Sequence, residues 1–240
     1  MFWLGEKFLK ELSSGQKRIL CFCGLGIMFI LMGNSNNSPE VFIQRIFKPI
    51  SGENWVFYYS GFIVIGGIYY CLYKLNEIKE NRLIRTPIRR FISTIVLMSI
   101  FPTLWTNCTQ VYKGFYKDLN AIYLDREISY MNFNKGNGII SIDGRLYIKN
   151  CNNETQEFYI KIKTPSSIKS DIKEDYITLP EKYIVHPKEN KTIYVSQELL
   201  RTEESNISTY MIKGIEYILF NDNDETIFEG SVSDYKYDVR

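Results

Sequence analysis

His186 is the only histidine in the chain, in the stretch IVHPKEN, and this closes two common routes to chemistry. A zinc site built on two histidines cannot be assembled, and a Ser-His-Asp arrangement would have to use a ring beside Pro187, in what reads as an ordinary turn. Carboxylates are more plentiful. Asp171, Glu174 and Asp175 lie close in sequence, as general acid–base pairs require, but the same spacing describes a solvated face. In NDNDE, the residues Asp222, Asp224 and Glu225 alternate as calcium ligands do. The stretch lacks the twelve-position loop and its central glycine, and reads as a hairpin turn. The expectation is a protein without catalytic residues, metal or cofactor, and not an enzyme.

The elements around these residues fall into two unlike halves. The first 108 residues carry 12 Lys and Arg against 6 Asp and Glu, and the remaining 132 carry 17 against 21. The basic half is also the apolar half. Membrane segments with basic flanks give that pairing, and a nucleic-acid surface does not.

Three apolar runs approach the roughly 20 residues needed to cross a bilayer. They are ILCFCGLGIMFILMG (19–33), WVFYYSGFIVIGGIYYCLY with Lys74 at its edge (55–74), and FISTIVLMSIFPTLWT with Asn107 (91–107). None has Asp, Glu, Lys, Arg or His in its core, and Pro102 is tolerable where neighbours satisfy the freed carbonyl. The helical pattern of the third continues through 108–120 as a juxtamembrane extension. Residues 1–18 form a basic leader with amphipathic spacing of Phe2, Trp3, Leu4, Phe8 and Leu12, suited to lying along the inner interface. The first run also has the size of a secretory signal, but NSNNSPE after Gly33 offers no small-x-small cleavage site, so retention is expected.

Loop charge sets the expected orientation. LNEIKENRLIRTPIRR (75–90) contributes Lys79, Arg82, Arg85, Arg89 and Arg90, with Lys74 at its edge, whereas the 34–54 loop has only Arg45 and Lys48. Basic residues mark cytoplasmic loops, so the amino terminus lies inside and the carboxy-terminal domain outside the plasma membrane. The basic loop is also placed to meet acidic lipid headgroups. Trp55, Tyr58, Tyr59 and Trp105 would anchor the outer interface, and Tyr69, Tyr70 and Tyr73 the inner one. On the second span, Ser60, Gly61, Gly66 and Gly67 form a small-residue surface for close helix approach. Cys21, Cys23 and Cys71 read as packing residues, and Cys108 and Cys151, both outside, are candidates for a disulfide. Sequons at Asn107, Asn153, Asn190 and Asn206 would matter in a eukaryotic secretory path, but the Ile-, Lys- and Asn-rich composition suggests a bacterium.

Residues 121–240 read as β structure. In GRLYIKN and EFYIKIK, Leu146, Ile148, Phe158, Ile160 and Ile162 face one way, and Arg145, Lys149, Lys161 and Lys163 the other. Further strands are expected at REISYMNF, GIISI, DYITL, YIVH, KTIYVS, GIEYILF and ETIFEGSV, with SQELLRTEES as a turn or short helix. Seven or eight short strands suggest an antiparallel sandwich. GRLYIKNCNNETQEFYIKI, YIVHPKENKTIYVSQEL and IKGIEYILFNDNDETIFEGSV together resemble the immunoglobulin-like carboxy-terminal domain of FixG-type cytochrome oxidase assembly proteins, over residues 138–232. The resemblance implies an immunoglobulin-like fold, and the chain lacks that family's cysteine-rich iron–sulfur motif.

The functional expectation is a membrane-anchored extracytoplasmic binding or assembly module. Its partners would be the lipid bilayer and another membrane or extracytoplasmic protein, with no nucleic acid. An accessory subunit of a transporter or channel is the alternative. Its spans would need polar groups at membrane depth, for which only Ser60, Ser93, Thr94, Ser99 and Thr103 are available.

Overall fold

The computed structural model describes residues 12–52, 55–78, 84–136, 138–169, 171–172, 174–200, 208–212 and 214–230. The leader, apart from its last seven residues, lies outside them, as do Lys79, Arg82 and Asn206. The chain divides into two compact units: residues 1–34 with 40–106, and residues 35–39 with 107–240.

The first unit is helical. Helix α1 (Ser14–Met32) starts at a capping box, in which the Ser13 hydroxyl accepts from the Gln16 amide and the Gln16 side chain accepts from Ser13, and it stops at Gly33. A short α2 (Phe42–Ile46) and a two-stranded ribbon, β1 (Ile50–Ser51) with β2 (Val56–Phe57), lead to α3 (Ser60–Ile78). Helix α4 (Pro87–Lys113) runs through Pro102 without interruption. Its 27 residues span about 40 Å, more than the roughly 30 Å hydrocarbon thickness of a bilayer.

Helices α1 and α4 are long and apolar enough to cross a membrane, and only 6% and 11% of their apolar windows are buried. Helix α3 falls short of that standard, so two helices meet it among the described residues where three spans were expected. Its last turns carry Lys74, Asn76 and Glu77, and residues 55–59 at the start of the expected span are ribbon and turn instead. One face of α3 is nonetheless buried, with Val64, Ile68 and Leu72 packed beside Leu25, Met28 and Met32 of α1. Near the end of α4, Phe101 stacks on Trp105 at 5.9 Å, and Phe29 meets Phe101 edge-on at 4.3 Å.

Among the described residues the second unit holds nine antiparallel strands in two sheets. The first sheet has the order β8 (Asn190–Leu200), β4 (Ile139–Asn150), β3 (Ile122–Lys135), β9 (Ser208–Ile212). The second runs β11 (Glu225–Phe228), β10 (Tyr217–Phe220), β5 (Gln156–Lys163), β6 (Tyr176–Thr178), and β7 (Tyr183–Val185) also pairs with β5. The alternation in β4 and β5 behaves as the sequence predicts: Leu146, Ile148, Phe158, Ile160 and Ile162 are all buried in one core with Leu124, Phe133, Ile193, Leu219 and Phe228. REISYMNF lies within the longer β3, and GIISI joins GRLYIKN in the single strand β4. Residues 196–200 of SQELLRTEES continue β8, because its register with β4 extends to the Ile139–Leu200 pair. The expected extension through 120 ends as helix at Lys113, and a 3-10 turn, Leu119–Ala121, leads into β3.

Strand β3 carries a large bulge. Asp125 lies opposite Tyr147 and Tyr130 opposite Arg145, so Arg126, Glu127, Ile128 and Ser129 together face only Leu146. Ser129 mends the ladder: its hydroxyl donates to the Asp125 carbonyl and accepts from the Tyr147 amide at 3.0 Å. Where the ladder resumes, Gly144 lies against Met131, and a Cβ there would run into the Tyr130 carbonyl and the Met131 sulfur. Gly144→Ala should therefore destabilise the domain by about 1–3 kcal/mol, read as a lower thermal midpoint with an unchanged far-UV spectrum. An unchanged midpoint would mean that the bulge yields freely.

Candidate functional site

A dense set of polar contacts in the second unit holds residues 35–39. Asn36 has φ 63°, a left-handed conformation that Asn adopts more readily than most residues. Its carboxamide nitrogen donates to the Leu124 carbonyl at 2.8 Å, and the Leu124 amide donates to its oxygen at 3.0 Å. Among the described residues strand β9 pairs with β3 over Met131–Lys135, and at Leu124 a side-chain amide takes the place of a neighbouring strand. The bulge aims Arg126 at the same segment. Its guanidinium donates to the carbonyls of Asn36 (3.1 Å), Asn37 (2.9 Å) and Glu229 (2.7 Å). Lys113 donates to the Asn37 side chain at 2.8 Å and to the Asn120 carbonyl at 3.1 Å. The Glu229 amide donates to the Asn37 carbonyl at 2.7 Å. Phe228 presents its ring to both cations, at 5.3 and 6.0 Å.

This clamp holds a peptide segment of the same chain. Burial pushes the Arg126 guanidinium below its usual range, but it keeps its charge, and hydrogen bonds from a charged donor are the stronger kind. Sequence reasoning missed the clamp. Its one signal was the Asn/Ser run NSNN, read only as an unsuitable cleavage site. Asn36→Ala strips two partners from buried Leu124, at roughly 1–3 kcal/mol for each group left unmade. Thermal unfolding in mild detergent should show a loss of at least about 2 kcal/mol, and a change under about 0.5 kcal/mol would make the carboxamide incidental.

The chemistry-bearing residues do not converge. His186 is exposed, and its amide donates to the Glu189 carboxylate in a turn where Lys188 has φ 58°. Asp171 is buried and paired with Lys135, whereas Asp175 pairs at the surface with Lys169 at 2.7 Å. In the β10–β11 hairpin the Asn221 side chain accepts from the amides of Asn223 and Asp224, so NDND forms a turn. Among the described residues no three His, Cys, Asp or Glu side chains are grouped as a metal would need.

Glu216 is the acid most embedded in a network. Burial alone would raise its carboxyl, but donation from the Tyr176 hydroxyl at 2.7 Å and from Lys163 at 3.1 Å outweighs it and holds the group below its ordinary range. Such a depressed group adds stability above its unfolded pKa, and that stability is lost as pH falls through the folded value. Between about pH 5 and 3, Glu216→Gln should flatten the loss of thermal stability seen in the parent protein. Parallel acid curves would assign that loss elsewhere.

Cys108 and Cys151 are both free thiols: Cys108 is exposed, and Cys151 is buried, with its sulfur 3.8 Å from the Lys149 carbonyl. Burial raises the Cys151 thiol. In the helical unit Ser60 is buried, and a Cβ on Gly67 would fall 2.7 Å from the Met28 sulfur. Gly61 and Gly66 face open space. Among the basic residues, Lys74 pairs with Glu77 at 2.8 Å. Arg90 donates to the carbonyls of Ile84 and Arg85 and lies over the Tyr73 ring at 4.9 Å. Arg85 and Arg89 flank the start of α4.

Two features of the β unit are open to solvent. Strand β8 pairs only with β4 among the described residues, which leaves one edge of eleven residues open. Tyr194 and Leu200 stand 75% and 88% exposed along it. At its start an open groove of about 300 Å³ is lined by Tyr123, Asp125, Tyr147, Lys149, Lys191 and Thr192, among others. Comparison with protein-family models, curated proteins and solved structures finds no match to this chain.

Proposed function

We propose that the protein is a non-enzymatic, membrane-anchored binding or assembly module. In this reading an immunoglobulin-like sandwich lies outside the plasma membrane and three helices anchor it. The observation that carries the placement is the clamp. Residues 35–39 and residues 107–230 share one folded unit, and one folded unit lies on one side of a bilayer. The chain between them therefore crosses an even number of times. Since α4 has the length and hydropathy of a span, α3 is the return crossing despite its more polar end. The start of α1, with Lys17 and Arg18, then shares a side with Arg85, Arg89 and Arg90. That basic side is the cytoplasmic one.

The open β8 edge supports a binding role, because an unpaired strand recognises an added strand through its main chain and through alternate side chains. The immunoglobulin-like assignment draws support from two antiparallel sheets that share one core and from the FixG-type resemblance. For the transport alternative the helical unit gives little. Thr94 and Ser99 donate to the carbonyls four residues earlier in their own helix, and the groove beside α4 is lined by Leu25, Phe29, Ile68, Leu97, Phe101 and other apolar residues.

Protease added to right-side-out vesicles should digest residues beyond 120 and leave them intact in inverted vesicles; the reverse pattern would overturn the orientation. Affinity purification from gently solubilised membranes should recover a stoichiometric partner, which the doubly substituted Tyr194→Asp, Leu200→Asp protein loses while its thermal midpoint stays within about 2 °C, since both sites are exposed. Equal recovery by both proteins would remove the edge strand from the interface.

A further inference from the structure

We infer that the basic end of the α1–α3 pair is a built site for one anionic glycerophospholipid. The inference rests on the membrane reading above. Helices α1 and α3 run close together where Gly24 meets Cys71, with a hypothetical Cβ on Gly24 only 2.8 Å from the Cys71 sulfur. Toward Ser14 and Ile78 the seam widens into a groove of about 580 Å³, within the roughly 300–1,000 Å³ of small-molecule sites. The groove is graded along its length. Leu20, Cys21 and Cys71 line it toward Gly24, and Ser14, Lys17 and Lys74 line it at the wide end.

Helical spacing produces that grading. Lys17, Cys21 and Gly24 recur at intervals of four and three, a polar-to-apolar stripe on α1, and Lys74 stands one turn beyond Cys71 on α3, with the apolar Ile78 after it at the wide end. The wide end is also the amino terminus of α1, whose positive dipole end favours an anion. Glu77 lies there too, bonded to Lys74 at 2.8 Å. Two lysines against one carboxylate leave a net positive charge, and the Tyr70 and Tyr73 rings hold the Lys74 ammonium at 5.7 and 5.2 Å. A phosphodiester matches this end and the upper acyl chain matches the other. A zwitterionic headgroup would bring its own cation against the lysines. Both lysines are only half-buried, so their replacement leaves the helix contact intact.

The full-length protein, reconstituted in vesicles of mixed phosphatidylglycerol and phosphatidylcholine and then extracted in mild detergent, should retain about one phosphatidylglycerol per chain in native mass spectrometry. The Lys17→Gln, Lys74→Gln protein should bind it roughly 30-fold more weakly, at about fivefold per lost cation, and Lys17→Arg, Lys74→Arg should restore retention. Excess glycerol phosphate should fail to displace the lipid, because it lacks the acyl chain. Displacement by it would identify a free phosphate site instead. Equal retention of phosphatidylcholine, unchanged retention in the glutamine variant, or a protein in place of the lipid would overturn the assignment. Sedimentation of the parent protein with membranes separates these results from failure of the membrane reading, which would show as a soluble chain.

Discussion

A single side-chain carboxamide stands in for a missing strand. At Leu124 the first sheet has no strand neighbour on that edge among the described residues, where β9 pairs as far as Met131. The amide and carbonyl there are buried, where leaving them unmade would be costly. Asn36 supplies one donor and one acceptor at peptide-like spacing. It does so from a segment 88 positions earlier in the chain, and the left-handed backbone at Asn36 turns the side chain toward the strand. The bulge in β3, the aim of Arg126 and the position of Glu229 are all organised around the peptide this residue anchors.

Among the described residues, the two cations of that anchor make no direct ion pair with a carboxylate. Arg126 and Lys113 are answered by carbonyls, one side-chain amide oxygen and an aromatic face. Neutral acceptors hold the segment through geometry, since several carbonyls must be in place at once. Lys135 and Asp171 follow the other solution, a buried ion pair, where removal of either member would strand the second charge. One domain thus uses both ways of keeping a charge inside.

Local pattern was legible in the sequence, and distant pairing was not. The alternation in EFYIKIK gives the buried faces of β5 residue by residue, because a strand's period of two is written directly into its side chains. The NDND turn follows from Asn chemistry close by. Helix α3 was visible as an apolar run, but its start was set five residues early, since Trp55, Val56 and Phe57 are as apolar as a span while lying in and beside a ribbon. The short β9 was missed, and so was Asn36, because the value of NSNN depends on Leu124 and Arg126. Of the small residues on α3, Gly67 meets Met28 and Gly61 meets nothing, a difference fixed by helix phase against a neighbour that one helix's sequence does not contain.

The recruitment of residues 35–39 means that the β domain is not a contiguous stretch of chain. A fragment cut at Asn107 would hold every described strand of that domain and still lack part of its own wall, with an unanswered main-chain edge at Leu124 and with Arg126 and Lys113 left only the Glu229 and Asn120 carbonyls and the Phe228 ring. During synthesis the order is inverted: the plug is made first, waits through three further helices, and closes the fold only after Glu229 has emerged.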